Sequence, residues 1–554
     1  MNHRTHEVIN QSTPFVGVNL FDTDRALRDA LRFNAPQLDT RALSALGAEA
    51  GSAETVEHAR LTNVHTPELR THDRFGHRVD QVEFHPSYHA LLGGALRHGL
   101  HGAPWSRPAG AHIERAAGFI VWTQAEPSVL CPVSMSYAVT PALRANAPLY
   151  EAWRTRIAST QYDSRFAPMV RKTAVTLGMG MTEKQGGSDV RANTTRAEAD
   201  GHDAWGTRVR ITGHKWFFSA PMCDAFLVLA QSTSGLSCYF LPRWLPDGMP
   251  NAMRIERLKD KLGNKANASS EVEFDGSLAW QVGDEGRGVP QILAMGAITR
   301  LDCALGTAGL MRQALALALH HCSERRAFGK RLIDQPLMKN VLADLALESE
   351  AATALALRLA RSLDRSENGE DASGHEALIR RVLTPIGKFW ICKRGSLFAQ
   401  EAMECLGGNG YVEEHGEGVM ARVYREMPVN SIWEGAGNIM ALDLLRALRT
   451  GPVADALMHE LAPARGAHAG FDRLAASLPA RVDGSTDETD ARRLARDVAI
   501  VVQASLLKQH APAEVFDTFC ASRLTDGVGG GGAFGLLAAA SPLDALIARA
   551  MPHP

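Results

Sequence analysis

A stretch rich in β-branched and aromatic residues, near positions 180 to 282, interrupts a chain whose two flanks are patterned as helices. Inside it, residues 209–219 and 225–230 have the composition of strands, and residues 270–274 alternate polar and apolar side chains like a half-buried strand. In the flanks, apolar residues recur at the three- and four-residue spacing of a buried helix face. The clearest helical runs are 301–321, 336–363 and 379–404. This order of helices, strands and helices predicts an α+β fold that is mostly α.

A polar turn with adjacent glycines, MTEKQGGSDV at 181–190, opens the β-rich stretch. Glycine lets backbone N–H groups approach a phosphate or a flavin edge, because no Cβ stands in the way. Far downstream, SIWEGAGN at 431–438 places a carboxylate between a tryptophan and a glycine. By itself the glycine pair is also compatible with an ordinary loop, since short glycine motifs recur by chance.

The order of elements and a series of separated motifs resemble the acyl-CoA dehydrogenase family of flavoproteins, over residues from roughly 30 to 448. The resemblance implies an N-terminal helical domain (1–178), a central β-barrel-like domain (179–282) and a C-terminal four-helix bundle (283–449), followed by an extra helical domain (450–554). Besides the turn, the motifs are KLGNK at 261–265 with Phe274, GDEGRG at 283–288, SERRAFGK at 323–330 with Gln335, LGGNGY at 406–411 and WEG at 433–435.

Within that family, the chain is more similar to the AidB-type branch, flavoproteins of the response to DNA alkylation. The chain continues for about a hundred residues past the point near residue 450 where ordinary members end. In the AidB-type branch this extension is a DNA-binding domain. The motifs shared with the branch are KQG after the Thr-Glu of the turn, GHKWFFS at 213–219, YREMPVNSIWE at 424–434 and the N-terminal runs at 5–11 and 19–22.

The family chemistry requires a base for the α-proton of an acyl thioester and an acceptor for the β-hydride. No side chain accepts a hydride, so FAD is expected to supply the acceptor and Glu434 the base. A helix-capping role for Glu434 is the alternative. Some family members carry the base on the first long helix after the β-domain instead, but here that position offers Thr299 and Arg300 and no carboxylate. Arg300 is expected to orient Glu434 or lower its pKa, or else to be an exposed helix residue.

The resemblance implies FAD contacts from each motif. Thr182 and Ser188 would bind the flavin or its phosphates, and Phe217 and Ser219 would line the isoalloxazine ring, although the aromatic run also suits a plain strand core. Arg325, with its guanidinium fork, would reach the ADP half from a neighbouring subunit, which implies a shared site in a dimer and a homotetramer built from such dimers. The full predicted set is Met181, Thr182, Gly187, Ser188, Trp216, Phe217, Ser219, Arg325, Phe328, Gln335, Glu404, Gly408, Trp433, Gly435 and Asn438.

Three positions depart from the common family pattern: Ala327, Glu404 and Ala436. Each removes or changes a polar contact to the cofactor. A carboxylate at Glu404 would repel a pyrophosphate unless it is protonated or paired with a basic group. The departures predict looser FAD binding than in a metabolic dehydrogenase.

The charged residues of the C-terminal extension are compatible both with DNA binding and with an ordinary solvated surface. From residue 445 to the end there are eleven Lys or Arg and twelve Asp or Glu, so the net charge is about −1, whereas a nucleic-acid-binding module is usually basic. Arg492 and Arg493 followed by Arg496 would share part of one helix face, but acidic neighbours also suit an ordinary solvated helix. The expected DNA-binding residues are Arg446, Arg449, Arg492, Arg493, Arg496, Lys508 and Arg523. The glycine run at 527–532 is expected to be flexible.

The sequence lacks the patterns that are typical of membrane-spanning, secreted and metal-binding proteins. No apolar run approaches the roughly twenty residues of a membrane span, and the N-terminus lacks the apolar stretch of a secretory signal, so a cytoplasmic location is expected. The eight cysteines form no Cys-x-x-Cys pair and the histidines show no metal-ligand spacing, so no metal is expected.

Two functions of different classes follow from the resemblance. The first is a FAD-containing protein that binds double-stranded DNA and protects it from alkylation, with a weak, isovaleryl-CoA-like dehydrogenase activity. The second is a metabolic acyl-CoA dehydrogenase, working with an electron-transfer flavoprotein, that carries an additional oligomerisation domain. We favour the first.

Overall fold

The computed structural model describes residues 5–482, 487–524 and 532–553. The packing divides the chain into two compact units. The sheet unit comprises Glu57–Gly118 and Ala125–Asp302, and the bundle unit comprises Met1–Val56, Phe119–Gln124 and Cys303–Pro554. The division into four consecutive domains made from the sequence stays a prediction.

Helices dominate both flanks of the chain, as the sequence predicted. They are α1 (Arg25–Asn34), α2 (Arg41–Ala50), α3 (Ala53–Val64), α4 (Pro86–Arg97), α5 (Ala111–Ala125), α6 (Leu130–Leu143), α7 (Ala147–Ile157), α8 (Gly288–Glu324), α9 (Pro336–Glu367), α10 (His375–Cys405), α11 (Gly408–Tyr411), α12 (Val419–Asn430), α13 (Gly437–Leu448), α14 (Gly451–Leu461), α15 (Ala469–Val482), α16 (Ala491–His510), α17 (Ala513–Arg523) and α18 (Leu543–Ala550).

The predicted helical runs at 301–321, 336–363 and 379–404 are parts of α8, α9 and α10, which are each somewhat longer. Helix α9 begins at Pro336, since proline lacks only an N–H that is unpaired in the first turn anyway.

Most of the strands lie in the predicted β-rich stretch, and two short antiparallel pairs lie outside it, at 68–83 and at 326–331. The strands are β1 (Glu68–His72), β2 (Arg78–Glu83), β3 (Leu177–Gly180), β4 (Arg196–Asp203), β5 (Gly206–Ser219), β6 (Ala225–Ser232), β7 (Gly235–Pro242), β8 (Met253–Leu258), β9 (Ser269–Gln281), β10 (Arg326–Ala327) and β11 (Lys330–Arg331).

The main sheet has the order β3-β6-β4-β5-β9-β7, with β8 on β9, and β7 also pairs back to β6. This return closes the sheet into a barrel-like structure and confirms the predicted mostly α fold with a central β-domain.

The C-terminal extension packs into the bundle unit through buried charged residues. Arg358 of α9 is fully buried and donates to Glu376 of α10 and Glu460 of α14, each at 2.7 Å. On the same helix, Glu348 accepts from Arg394 of α10 at 3.0 Å and from Arg523 of α17 at 3.1 Å. These networks join helices of the extension to those of the bundle, so their removal would leave buried charges unpaired.

No helix within the described residues is long and apolar enough to cross a membrane. All eight cysteines are free thiols; Cys131 is half-buried and the others are buried. After α15, residues 483–486 lie outside the described residues, and Glu488–Asp490 forms a 3-10 turn. Of the predicted glycine run at 527–532, residues 527–531 lie outside the described residues.

Candidate functional site

The glycine turn of the sheet unit is held closed by its own backbone. Glu183 N–H donates to Gly186 O at 3.3 Å, and Gly186 N–H donates back to Glu183 O at 3.2 Å. Strand β5 then fixes the turn in place, because Trp216 N–H donates to Thr182 O at 2.9 Å. The turn at 181–190 and the GHKWFFS run at 213–219 therefore form one structure.

A buried ion pair lies beneath this turn. The Nζ of Lys215 is 2.7 Å from Glu183 Oε1, and both side chains are fully buried. Glu183 also accepts from the backbone N–H of Thr194 at 2.7 Å, and Lys215 donates to Leu229 O at 2.8 Å. Burial raises the pKa of Glu183, but the adjacent ammonium and the donors outweigh it and hold that pKa at about 2. Both residues belong to the two motifs, yet nothing in the spacing of the motifs indicates that they pair.

The exposed side of the turn is shaped for close approach. A Cβ added at Gly187 would lie 3.1 Å from the Thr182 side chain, a tight contact that Thr182 would have to shift to relieve. Ser188 beside it is exposed, whereas Met181 and Thr182 are half-buried. A loop of this form, with hydroxyls and free space over a glycine, suits the binding of phosphate or a flavin edge.

Aromatic side chains of β5 divide between the core and the surface. Phe218 is buried, but Phe217 is 55% exposed and Trp216 is half-buried, so the plain-core alternative holds only for Phe218. Lys259 Nζ lies 3.2 Å from the centroid of the Trp216 ring, and Arg257 lies over the same ring at 5.6 Å. Ser219 Oγ is 3.5 Å from Ser269 Oγ. Arg257 and Lys259 are each 2.6 Å from the Glu271 carboxylate, so the exposed Phe217 ring, and not free positive charge, is what this surface offers to a planar cofactor.

In the bundle unit, Glu434 lies in the turn between α12 and α13 with a φ of 58°. This left-handed conformation is rare for residues other than glycine and points to a constrained position. The constraint comes from α10, since the buried Lys388 Nζ donates to Gly435 O at 2.6 Å. The Trp433 indole N–H is buried without a hydrogen-bond partner among the described residues. Lys388 was missed from the sequence, because its helix pattern alone does not distinguish it from a surface lysine.

Substitution of Lys388 by Met is expected to slow substrate-dependent bleaching of the flavin by about 100-fold while FAD is retained, because a small displacement of the Glu434 turn misaligns the base. Stopped-flow absorbance at the flavin band would measure this. Arg381→Met, an exposed change on the same helix, is the control. Equal rates in the two variants would show that Lys388 does not position the turn.

The first turn of α13 begins with a glycine that packs closely against side chains of α10. A Cβ at Gly437 would come within 2.9 Å of Lys393 Cε and 3.4 Å of the Phe389 ring. The next residue, Asn438, accepts a 3.3 Å hydrogen bond from Arg492 of the C-terminal extension. The extension thus contacts a predicted cofactor-binding residue within the same unit.

The residues predicted to reach a neighbouring subunit are mostly accessible. Phe328 is 97% exposed with a φ of 51°, and Gln335 Nε2 donates to Ala327 O at 3.0 Å. The side chain of Arg325 donates to the backbone O of Asn10. Glu404 and Gly408 are both exposed. Their contacts with FAD stay predictions.

Arg300 belongs to the sheet unit, where it is half-buried in α8, and its role beside Glu434 stays a prediction.

The predicted DNA-binding residues fall into two groups. Arg446 and Arg449 at the end of α13, and Arg492 on α16, are exposed and have no carboxylate partner among the described residues. Lys508 is also exposed, with its Nζ 5.1 Å from the Phe516 ring centroid.

The remaining arginines of that set are paired with acids. Arg493 Nη2 is 2.8 Å from Asp490, and Arg496 Nη2 is 2.7 Å from Asp497. Arg523 is buried between Asp344 and Glu348, so its position is that of a structural ion pair and not of an exposed basic face.

Comparisons with known proteins match the chain along most of its length. Sequence models match the AidB N-terminal domain at residues 10–164, the acyl-CoA dehydrogenase middle domain at 178–277 and the acyl-CoA dehydrogenase C-terminal domain at 286–449. The Escherichia coli (strain K12) protein AidB is 47% identical over 492 residues, covering 88% of this chain and 89% of that one. The chain belongs to the acyl-CoA dehydrogenase family, with an AidB-type N-terminal domain.

Solved structures agree with this assignment. The structure of Caenorhabditis elegans ACDH-11 in complex with C11-CoA has a TM-score of 0.83 at 26% identity, covering 95% of this chain and 94% of that one. The apo-form of Bd2924 has a TM-score of 0.82 at 30% identity, covering 90% of this chain and 99% of that one. Both alignments extend beyond the part of the chain matched by the dehydrogenase domains.

Family membership supports FAD as the cofactor of this acyl-CoA dehydrogenase relative, and the local geometry fits it. Gly187 packs closely against Thr182 in the glycine turn, and the half-buried Trp216 and the exposed Phe217 rings lie on the same strand beside it. The sequence therefore identified FAD as the cofactor, and the individual contacts of each motif with it stay predictions.

Proposed function

We propose that this AidB-like flavoprotein oxidises acyl-CoA thioesters with bound FAD and, in addition, associates with double-stranded DNA. The observation that carries the first activity is the constrained turn of Glu434, whose backbone is held from behind by the buried Lys388 ammonium. Keeping a charged lysine buried is costly, and among the described residues Lys388 has no carboxylate partner. Such a cost is consistent with a turn whose position matters for function.

In this proposal, the carboxylate of Glu434 takes the α-proton of the thioester, and FAD supplies the acceptor for the β-hydride. The indole of the adjacent Trp433 would supply an apolar wall beside the carboxylate. An acyl-CoA substrate is supported by family membership and by the C11-CoA named for the ACDH-11 structure. Electrons would leave through an electron-transfer flavoprotein.

The test is anaerobic titration of the FAD-loaded protein with acyl-CoAs of increasing chain length, with isovaleryl-CoA included. Bleaching of the flavin absorbance by any of them supports the proposal. Retention of the oxidised spectrum with the whole series would contradict the dehydrogenase function.

Association with DNA is the second part of the proposal. Its support is three exposed arginines on or next to helices α13 and α16, Arg446, Arg449 and Arg492, which have no carboxylate partner among the described residues. Guanidinium groups bind phosphate oxygens through paired N–H donors, and symmetric copies of the chain would repeat these groups. Such binding would protect DNA from alkylation by shielding it or by consuming the agent at the flavin.

Replacement of Arg446, Arg449 and Arg492 together by Ala is expected to weaken binding to a random-sequence duplex. The slope of log affinity against log salt should fall by about 0.9 for each DNA phosphate that the protein no longer neutralises. Fluorescence anisotropy at several salt concentrations would measure both the affinity and the slope. Arg41→Ala removes an arginine that is 90% exposed elsewhere in the bundle unit and serves as the control.

Point substitutions are preferred to truncation near residue 450, because truncation would remove Glu460 and leave the buried Arg358 without this partner. Absence of DNA binding by the unmodified protein would favour the alternative, a metabolic acyl-CoA dehydrogenase whose extension serves assembly.

A further inference from the structure

The N-terminal segment that precedes α1 is bound to strand β10, directly after α8, by a reciprocal pair of hydrogen bonds. Asn10 Nδ2 donates to Arg326 O at 2.9 Å, and Arg326 N–H donates to Asn10 Oδ1 at 2.8 Å. Next to this pair, the Arg325 guanidinium donates to the backbone O of Asn10. One asparagine therefore fixes both the backbone and a side chain at the start of the 325–329 loop.

Neighbouring residues extend this attachment along the last turn of α8. Thr13 donates to the Glu324 carboxylate from its backbone N–H at 2.6 Å and from its hydroxyl at 2.9 Å. The Ser12 hydroxyl is 3.0 Å from His321 Nδ1. Glu324 accepts these bonds from Thr13, and the adjacent Arg325 has no carboxylate partner among the described residues.

The same segment also reaches a second loop. Asn409 Nδ2 donates to Gln11 Oε1 at 3.1 Å, and Asn409 follows Gly408 at the start of α11. Residues 10 and 11 thus bridge two loops that lie about eighty residues apart in the chain. Both loops carry residues that the sequence predicts to bind FAD.

We propose that Asn10 is a positioning residue for FAD binding: it holds the 325–329 loop, and with it Arg325, in the conformation that binds the ADP half of the cofactor. This inference rests on the proposed function. The loop needs such support because Phe328 is 97% exposed and both it and Gly329 have positive φ values. A loop ordered in advance loses less conformational freedom when the ligand binds.

The conformation of Asn10 is consistent with this role. Its φ is 56°, in the left-handed region where asparagine is favoured among residues with a side chain. The left-handed turn brings its backbone O and its side-chain amide to adjacent residues of the loop. A side chain with only an acceptor or only a donor could not form both bonds to Arg326.

The experiment compares Asn10→Gly, Asn10→Ala and Thr5→Ala in the full chain. Glycine keeps the left-handed backbone accessible and removes only the amide, whereas alanine also adds backbone strain. Thr5 is exposed and its hydroxyl is 2.9 Å from the neighbouring His6, so it serves as the control. Equilibrium dialysis gives the FAD dissociation constant at a temperature where the apoprotein melting curve shows each variant folded.

Asn10→Gly and Asn10→Ala are both expected to raise the FAD dissociation constant about tenfold, since two hydrogen bonds that order the loop are removed. Thr5→Ala is expected to leave it unchanged. An unchanged constant for Asn10→Gly overturns the inference, and so does an effect confined to Asn10→Ala, which would come from backbone strain. If these two variants do not fold, the isosteric Asn10→Asp keeps the acceptor for Arg326 N–H and removes the donor to Arg326 O; it is expected to raise the constant, and an unchanged constant overturns the inference.

Failure of the inference is distinguishable from failure of the proposed function. If the unmodified protein does not bind FAD, the proposed function is contradicted. If the unmodified protein and the Asn10 variants bind FAD equally well, only the role of Asn10 is contradicted.

Discussion

Glu434→Gln is expected to abolish acyl-CoA-dependent bleaching of the flavin, lowering its rate by about 100- to 10,000-fold, while FAD remains bound. Glutamine keeps the size of the side chain and its left-handed position, but it cannot accept the α-proton at neutral pH. Anaerobic stopped-flow absorbance measures the rate, and the flavin spectrum of the purified protein reports retention of FAD.

Glu417→Gln provides the matched control, because Glu417 is an exposed carboxylate in the same unit. It is expected to bleach at the unmodified rate. Bleaching by Glu434→Gln at that same rate would exclude Glu434 as the base. Since the first long helix offers Thr299 and Arg300 at the alternative position, the base would then have to lie outside the family motifs.

Lys215→Met is expected to lower the free energy of unfolding by about 3–5 kcal/mol, because it leaves the fully buried Glu183 without its counter-charge. The denaturation midpoint of the FAD-free protein measures this destabilisation. Lys184→Met changes an exposed lysine of the same turn and is expected to have little effect. The double variant Glu183→Gln, Lys215→Met is expected to recover part of the stability, since no buried charge then remains.

The stability that the Glu183–Lys215 ion pair contributes is expected to decrease at acid pH. The pKa of Glu183 is held at about 2 in the folded protein against an ordinary value of 4.5. Its stabilising contribution is therefore present above pH 4.5 and is lost as the pH falls from there towards 2. The melting temperature of Glu183→Gln should fall less steeply than that of the unmodified protein over this window. Parallel curves would contradict a role for Glu183 in acid sensitivity.

The proposed DNA binding and the proposed dehydrogenase activity depend on different residues, so they can be tested separately. Loss of Arg446, Arg449 and Arg492 should affect duplex affinity, whereas loss of Glu434 should affect bleaching alone. Arg492 also donates to Asn438, so FAD retention must be checked in the triple variant. This hydrogen bond is a direct physical link, within the bundle unit, between the C-terminal extension and a predicted cofactor-binding residue.

Much of the fold and the motif-bearing parts of the site were predictable because they depend on local pattern. The helical periodicity of α8, α9 and α10 and the composition of β5, β6 and β9 are set by neighbours within a few residues. The glycine turn and Glu434 were recognisable because each chemical role requires particular residue types in a fixed spacing. By contrast, Arg523 was expected on a basic face, since a helix pattern does not reveal an acidic partner some 180 residues away.

Residue types and their short-range spacing were enough to establish the order of helices and strands, the family and its FAD cofactor, and to nominate Glu434 as the base. Which charged and polar groups are buried, and with which partners, became known only from the folded chain: Lys215 with Glu183, Lys388 beneath the Glu434 turn and Asn10 beside Arg325. The physical reason is that an ionic or hydrogen-bonded contact acts over a few ångströms in space, and folding brings together residues whose separation along the chain carries no signal of that contact.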